Sequence, residues 1–308
     1  MQTPEALKSQ IGSTADLQSV VKTMKAQAAV SIQQYEAALA SLQQYSHTLE
    51  LGLQILLQQS ASVAPPAALA PASSSPDPLG IILFGSDQGL CGQFNQQIAQ
   101  YLDRYLGDPP IAIAEQRHLA VVGARPLPTL QELGLRIDET FAVPSNVDGI
   151  TATVQDLLLM IDRWQTHWGT IGSRGLVPNQ RILLFYNRPT SSVAYESVIV
   201  QPLPLDEAWL AQLRQRPWPS RRLPTPLMDP ETLFFKLVRQ YLFISLYQAL
   251  AASLASENAS RLAAMQAAES NIDDRLEDLT RQYRQQRQSA ITAELLDVIS
   301  GFEALTGQ

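Results

Sequence analysis

The chain has 308 residues, of which 45% are hydrophobic and 17% charged, enough apolar material for two domains or one large core. Its net charge of −7 and pI of about 5.0 argue against a nucleic-acid partner. A single cysteine, Cys91, excludes an intramolecular disulfide framework, and the three scattered histidines, His47, His118 and His167, are not at metal-ligand spacing. The N-terminus lacks the basic and apolar regions of a secretory signal, and no apolar run reaches the roughly 18 residues of a membrane-spanning helix. Any membrane association is therefore expected to run through partners.

Residues 4–59 predict a long helix. Val21, Ala28, Tyr35, Leu42, Leu49 and Leu56 recur every seven residues, and Met24, Ile32, Leu39, Tyr45 and Leu53 fall three or four positions after successive members of that set. This is the seam of a coiled coil rather than the broader apolar face of a core helix. Gly12 and Gly52 weaken the helix by about 1 kcal/mol each relative to Ala without interrupting the pattern. Residues 61–78 are rich in Ala, Pro and Ser and predict a linker, partly extended.

The segment LGIILFG (79–85) predicts a buried strand, SDQGLCGQFN a glycine-rich turn, and Gln96–Tyr105 a helix. HLAVVG (118–123) predicts a strand, residues 153–168 a helix, RILLFYNR (181–188) a strong strand and residues 193–204 another. Alternating strands and helices indicate an α/β domain over 79–228 with a mainly parallel sheet, and the short connection between the last two strands indicates an antiparallel hairpin at one edge. Residues 214–230, with five prolines, read as an irregular bridge.

From Glu231 to Ser300 there is no Gly and no Pro. Asp229 and Pro230 read as N-cap and first helical residue, and Gly301 as the stop. The result is a helix of about 70 residues, roughly 105 Å long. No compact domain buries such a helix, so it needs a long partner, and residues 1–60 supply one. The architecture expected is an antiparallel coiled coil of 1–60 with 229–308, and an α/β domain inserted between its arms. The second arm outruns the first by about 19 residues, or roughly 28 Å. That overhang carries Ile291, Leu295, Leu296, Val298, Ile299 and Phe302, and a lone apolar helix is unstable in water. It points to a sleeve provided by another protein; an end folded back on its own chain and an oligomer seam are the alternatives.

Chemistry is harder to find. The turn Gly85–Gly92 lies where phosphates often bind, but it matches neither GxxxxGK[ST] nor GxGxxG. Gly85, Gly89 and Gly92 read as a structural turn, Cys91 as a small buried residue, and Asp273, Asp274, Glu277 and Asp278 as a solvated helix face. No catalytic residue, cofactor site or metal site is expected.

Five stretches, in order, resemble the gamma subunits of F-type ATP synthases. They are LKSQIGSTADLQSVVKTMKAQAA; SDQGLCGQFN, similar to that family's SDRGLCGGLN; FYNRPTSSVAYESVIVQPLPL; LFFKLVRQYLFISLYQAL; and ENASRLAAMQAAESNIDD with LTRQYRQQRQSAITAELLDVISG. The resemblance implies a coiled-coil rotor shaft with a Rossmann-like α/β domain. The shaft would turn inside a ring of alpha and beta subunits, which bind the ATP, ADP and Mg, and would be joined through epsilon and the membrane c-ring to ion flow. It implies a subunit that does no chemistry itself and lies peripherally on the cytoplasmic face of a bacterial plasma or thylakoid membrane. By position, Arg287, Gln288, Thr292 and Glu294 stand where the family meets a catch loop of beta, and Met24 and Arg261 where it meets beta's acidic lever loops. The chain departs from the family in its acidic balance, its nearly uncharged AAVSIQQYEAA, Gln88 for the usual Arg, CGQ for CGG, and the absent two-cysteine redox loop. These departures suggest an alternative reading as the rotor of a second, hydrolysis-driven ion pump, a sodium pump included. From other classes, a nucleotide-binding α/β enzyme and a coiled-coil adaptor are also open.

Overall fold

The computed structural model describes residues 3–59, 78–107, 117–168, 181–190 and 195–306. Apart from Pro78, the expected linker lies outside them. The described elements are α1 (Pro4–Gln59), β1 (Leu79–Phe84), α2 (Phe94–Leu106), β2 (Arg117–Val122), α3 (Leu127–Glu132), β3 (Glu139–Phe141), α4 (Val147–His167), β4 (Arg181–Arg188), β5 (Glu196–Leu203), α5 (Glu207–Gln215) and α6 (Pro230–Thr306). Two compact units emerge: one is Ala29–Ser260, and the other joins Met1–Ala28 to Arg261–Gln308.

In the first unit a five-stranded sheet has the order β3-β2-β1-β4-β5. β1 runs parallel to β2 and β4, β2 parallel to β3, and β5 closes one edge antiparallel to β4. Every residue of β1 is buried because both faces of the sheet are covered. Ile82, Phe84, Ala120, Val122, Ile182 and Leu184 point to the side of α4, α6 and the end of α1. Ile81, Leu83, Leu119, Val121, Leu183 and Phe185 point to the other side, where Ile98 and Leu102 of α2 and Leu130 of α3 meet them. The period-two alternation of strand side chains produces this division. Gly52 of α1 lets the two long helices approach closely, since a Cβ there would lie 3.3 Å from Leu237 of α6.

Both ends of α4 and the start of α6 follow local chemistry. Asn146 caps α4 by accepting from the Gly149 amide at 3.0 Å. Asp229 caps α6, its carboxylate accepting from the Thr232 amide at 3.0 Å and the Thr232 hydroxyl at 3.1 Å. The expected stop at Gly301 is wrong: α6 continues through it to Thr306. Gly301 does not take the positive φ of a helix-ending glycine, and an exposed glycine costs a helix interior only about 1 kcal/mol.

The expected seam of α1 needs one shift. Its less exposed positions repeat every seven residues from Leu7 through Thr14, Val21, Ala28, Tyr35, Leu42 and Leu49 to Leu56. Between them lie Ile11, Gln18, Lys25, Ile32, Leu39, Ser46 and Leu53. Tyr45, expected on the seam, is 47% exposed, and Ser46 stands in its place. Choosing the apolar neighbour misread a spacing of four as three. The first two heptads escaped notice because Thr14, Gln18 and Lys25 are polar.

Candidate functional site

Two regions hold the residues singled out by sequence. The first is the turn after β1, at the carboxyl ends of β1 and β4. Strand order reverses between these two strands, and open α/β sheets bind ligands in the crevice at such a point. Here that crevice is filled by the chain itself. Ser253, Ser256 and Ser260 occupy one side of α6 at i, i+3 and i+7. Ser253 Oγ donates to the Phe84 carbonyl at 3.4 Å, Ser256 Oγ to the Asn187 carbonyl at 3.0 Å, and Ser260 Oγ to the Cys91 carbonyl at 2.6 Å. These acceptors are the end of β1, β4 close to its end, and the turn between β1 and α2. Asn187 in turn donates to the Phe94 carbonyl at 3.3 Å and accepts from Ser197 Oγ at 2.7 Å. Beside Ser260, burial raises the phenol pKa of Tyr195.

The turn is closed by its own polar side chains. The Ser86 amide donates to Asn95 Oδ1 at 2.9 Å, and Asn95 Nδ2 returns a bond to Ser86 Oγ at 2.8 Å. Asp87 reaches across the sheet edge, accepting from the Ala124 amide at 2.8 Å and the Val143 amide at 2.7 Å. It thereby ties together the loops that follow β1, β2 and β3. A Cβ at Gly85 would fall 2.1 Å from Pro126 Cγ, and Gly92 has φ +59°, whereas a Cβ at Gly89 would sit 3.4 Å from the Arg125 guanidinium, an ordinary contact. Cys91 is buried, its Sγ 3.6 Å from Asn95 Nδ2. Asp87 and the serine stripe were missed in the sequence. Their signals were an Asp directly after a strand-ending Gly-Ser, and small hydroxyl residues at helical spacing in an alanine-rich run.

The second region is the other unit. Gln18 donates to the Asp273 carboxylate and Lys25 pairs with Glu269, so residues ascending α1 meet residues descending α6. Glu277 and Asp278 share Arg281, at 3.3 Å and 3.6 Å. Hydrogen bonding from Lys25 holds the Glu269 carboxyl below its ordinary pKa. Met24 is half-buried, and Arg261 is 6% exposed. Burial along α6 stops abruptly: Leu279 is 2% exposed, Tyr283 and Gln286 are half-buried, and every residue from Arg287 to Phe302 is exposed.

On that exposed stretch, about 100° of turn per residue puts Ile291, Leu295, Val298 and Phe302 on one stripe. Arg287 and Glu294, seven apart, flank one side of it, and Gln288 and Thr292, four apart, flank the other. Thr292 Oγ1 donates to the Gln288 carbonyl at 2.9 Å. The structure brings Arg287, Gln288, Thr292 and Glu294 onto two borders of an apolar strip; Gly85, Gly89 and Gly92 belong to the other region.

Residues 3–305 match the family model described as ATP synthase. The chain is 27% identical over 307 residues to the ATP synthase gamma chain of Anaeromyxobacter dehalogenans (strain 2CP-C), covering 97% of this chain and 98% of that one. It is 26% identical to the gamma chain of Salinibacter ruber, covering 97% of each. Among solved structures, a chain of the Euglena gracilis mitochondrial ATP synthase OSCP/F1/c-ring complex is similar at TM-score 0.60 and 17% identity, over 99% of this chain and 95% of that one. A chain of the Tetrahymena thermophila mitochondrial central stalk and c-ring is similar at TM-score 0.54 and 20% identity, over 81% and 99%.

Proposed function

The chain belongs to the ATP synthase family, as a gamma subunit of the central rotor stalk, and we propose that it works as a shaft with no chemistry of its own. The observation that carries this reading is the uncovered end of α6, where an apolar strip with polar borders is exposed from Arg287 to Phe302. Such a surface suits a helix enclosed by a sleeve of other subunits. Its partners are the alpha and beta subunits, epsilon and the membrane c-ring. ATP, ADP and Mg bind to alpha and beta in this reading, and the filled crevice beside β1 supports a gamma subunit that holds no nucleotide. The opposed pairs Gln18–Asp273 and Lys25–Glu269, with the seven-residue repeat of α1, support an antiparallel coiled coil. The order of the parallel strands supports a Rossmann-like domain.

The subunit is a peripheral part of the synthase, and among the described residues no helix is long and apolar enough to cross a membrane. In this reading it works at the cytoplasmic face of a bacterial plasma, or thylakoid, membrane. Rotation presents different sides of an asymmetric shaft to each beta subunit, and differential contact shifts each between nucleotide states. Arg287, Gln288, Thr292 and Glu294 are the contacts with a beta catch loop. Met24 and Arg261 are the positions for the lever loops, Arg261 offering only the edge of a buried side chain. Replacing Arg287 and Gln288 together by Ala is expected to lower coupled turnover of the assembled complex by about tenfold. The helices themselves should stay folded, since both side chains are exposed. Unchanged ATP synthesis and hydrolysis would remove this contact assignment. Failure of the wild-type chain to co-purify with alpha and beta would remove the shaft reading itself.

A further inference from the structure

Against a chain of net charge −7, residues 208–228 contain four arginines, Arg214, Arg216, Arg221 and Arg222, and no acidic residue. The same segment exposes large apolar side chains: Leu223 is 52% exposed, Leu227 fully so and Met228 40%. Irregular, proline-rich backbone of this kind is ordinarily loose, yet here the end of α1 pins it. Gln54 Nε2 donates to the Arg216 carbonyl at 2.7 Å, Gln58 Nε2 to the same carbonyl at 2.8 Å, and Gln59 Nε2 to the Pro224 carbonyl at 2.8 Å. Arg216 also pairs with Glu50 at 3.2 Å. Within the turn, the Trp218 indole N–H lies 3.1 Å from both Ser220 Oγ and the Arg222 carbonyl. The backbone is held while the Arg221 and Arg222 side chains stay exposed, and among the described residues neither has an ion pair.

We propose that the 214–228 segment is a docking surface for a carboxylate-lined protein surface, and that the membrane ring of the assembly presents that surface. This rests on the rotor reading above. Charge complementarity selects the partner: two adjacent guanidinium groups on a fixed turn suit fork-like pairing with carboxylates at defined positions. A lipid surface would need no such fixed presentation. Pro224 and Pro226 also prevent Leu223, Leu227 and Met228 from forming the amphipathic helix that lies in a membrane interface. The exposed leucines add apolar contact between the charged pairs, as in the centre of a protein interface. Arg214 and Arg216 lie nearer the pinned backbone and shape the segment.

The test uses the alpha–beta–gamma complex detached from its membranes. Rebinding is measured to vesicles containing the purified membrane ring, and to ring-free vesicles of phosphatidylglycerol and phosphatidylcholine in equal parts. The variants are R221E/R222E, R221K/R222K and L227S. The double reversal is expected to weaken rebinding to the ring by about tenfold, with ATP hydrolysis of the detached complex unchanged. The lysine pair is expected to recover part of the binding, wild-type rebinding to weaken with salt, and L227S to lower rebinding without changing its salt dependence. Unaltered rebinding of R221E/R222E overturns the proposal, as does wild-type binding to ring-free anionic vesicles as tight as to the ring. Failure of the wild-type complex to bind the ring at all removes the rotor reading, and the proposal with it.

Discussion

At the scale of single residues, Asp87 does more than the glycines around it. One carboxylate holds two backbone amides, those of Ala124 and Val143, which belong to loops distant in sequence. Asp87 is exposed, so water competes for both bonds and their value lies near the lower end of the range for charged acceptors. Asp87→Ala is expected to destabilise the chain by about 1–2 kcal/mol, and Asp87→Asn by less, because the amide oxygen can still accept one bond. Chemical denaturation of the two variants beside wild type checks this order. Glu269 gives a pH-dependent counterpart. Lys25 depresses its folded-state pKa, so the stabilisation is present above the ordinary carboxylate value of about 4.3 and is lost as pH falls through the lower, folded value. Glu269→Gln removes it. The melting-temperature gap between wild type and variant is therefore expected at neutral pH and should close in acid. A gap that persists below the folded pKa would mean that Lys25 is not its source.

At the scale of elements, periodicity carried most of the information, and it failed where polarity broke the pattern. Strand β1 was legible because six residues buried on both faces leave a run of apolar residues bounded by glycine. The three-residue β3 and the short α3 and α5 were not, since elements of that length have too few residues to display a period. In α1 the lower seam was legible through Tyr35, Leu42, Leu49 and Leu56, and the upper seam was hidden by Thr14, Gln18 and Lys25. Nothing in the local sequence shows that Ser253, Ser256 and Ser260 face the carbonyls near the ends of β1 and β4, because those partners are far away along the chain. The exposed end of α6 was legible from helix lengths alone, since a shorter arm cannot cover a longer one. The two ends of this paired element respond oppositely to the same substitution. Leu53 is fully buried and Leu295 is 59% exposed. Leu53→Ala is expected to cost about 2–5 kcal/mol through a cavity against α6, and Leu295→Ala within about 0.5 kcal/mol in the free chain. Equal losses in thermal or urea unfolding would place the boundary of burial elsewhere.

At the scale of the whole molecule, the two units differ in how much apolar surface each can bury. Ala29–Ser260 contains a sheet with both faces covered and a core that runs through Phe84, Trp164, Phe185 and Leu246. In the other unit the buried apolar side chains among the described residues are Leu7, Ala28, Met265 and Leu279. Local opening is easiest where few apolar contacts resist it, so stability should fall along the single helix α6. In the free chain, amide hydrogen exchange is expected to be slowest at residues 244–260, faster at 265–286 and fastest at 287–302. Helix propensity cannot level these differences, because the hydrogen bonds of an isolated helical end are only marginally stable in water. Binding to alpha and beta subunits reverses the last step if those subunits enclose the strip of Ile291, Leu295, Val298 and Phe302. Exchange at 287–302 should then slow by at least about tenfold, while 244–260, already protected by its own core, changes little. Equal protection of 244–260 and 265–286 in the free chain would contradict the thin core of the second unit. Unchanged exchange at 287–302 on assembly would show that the uncovered end of α6 is not where the ring takes hold.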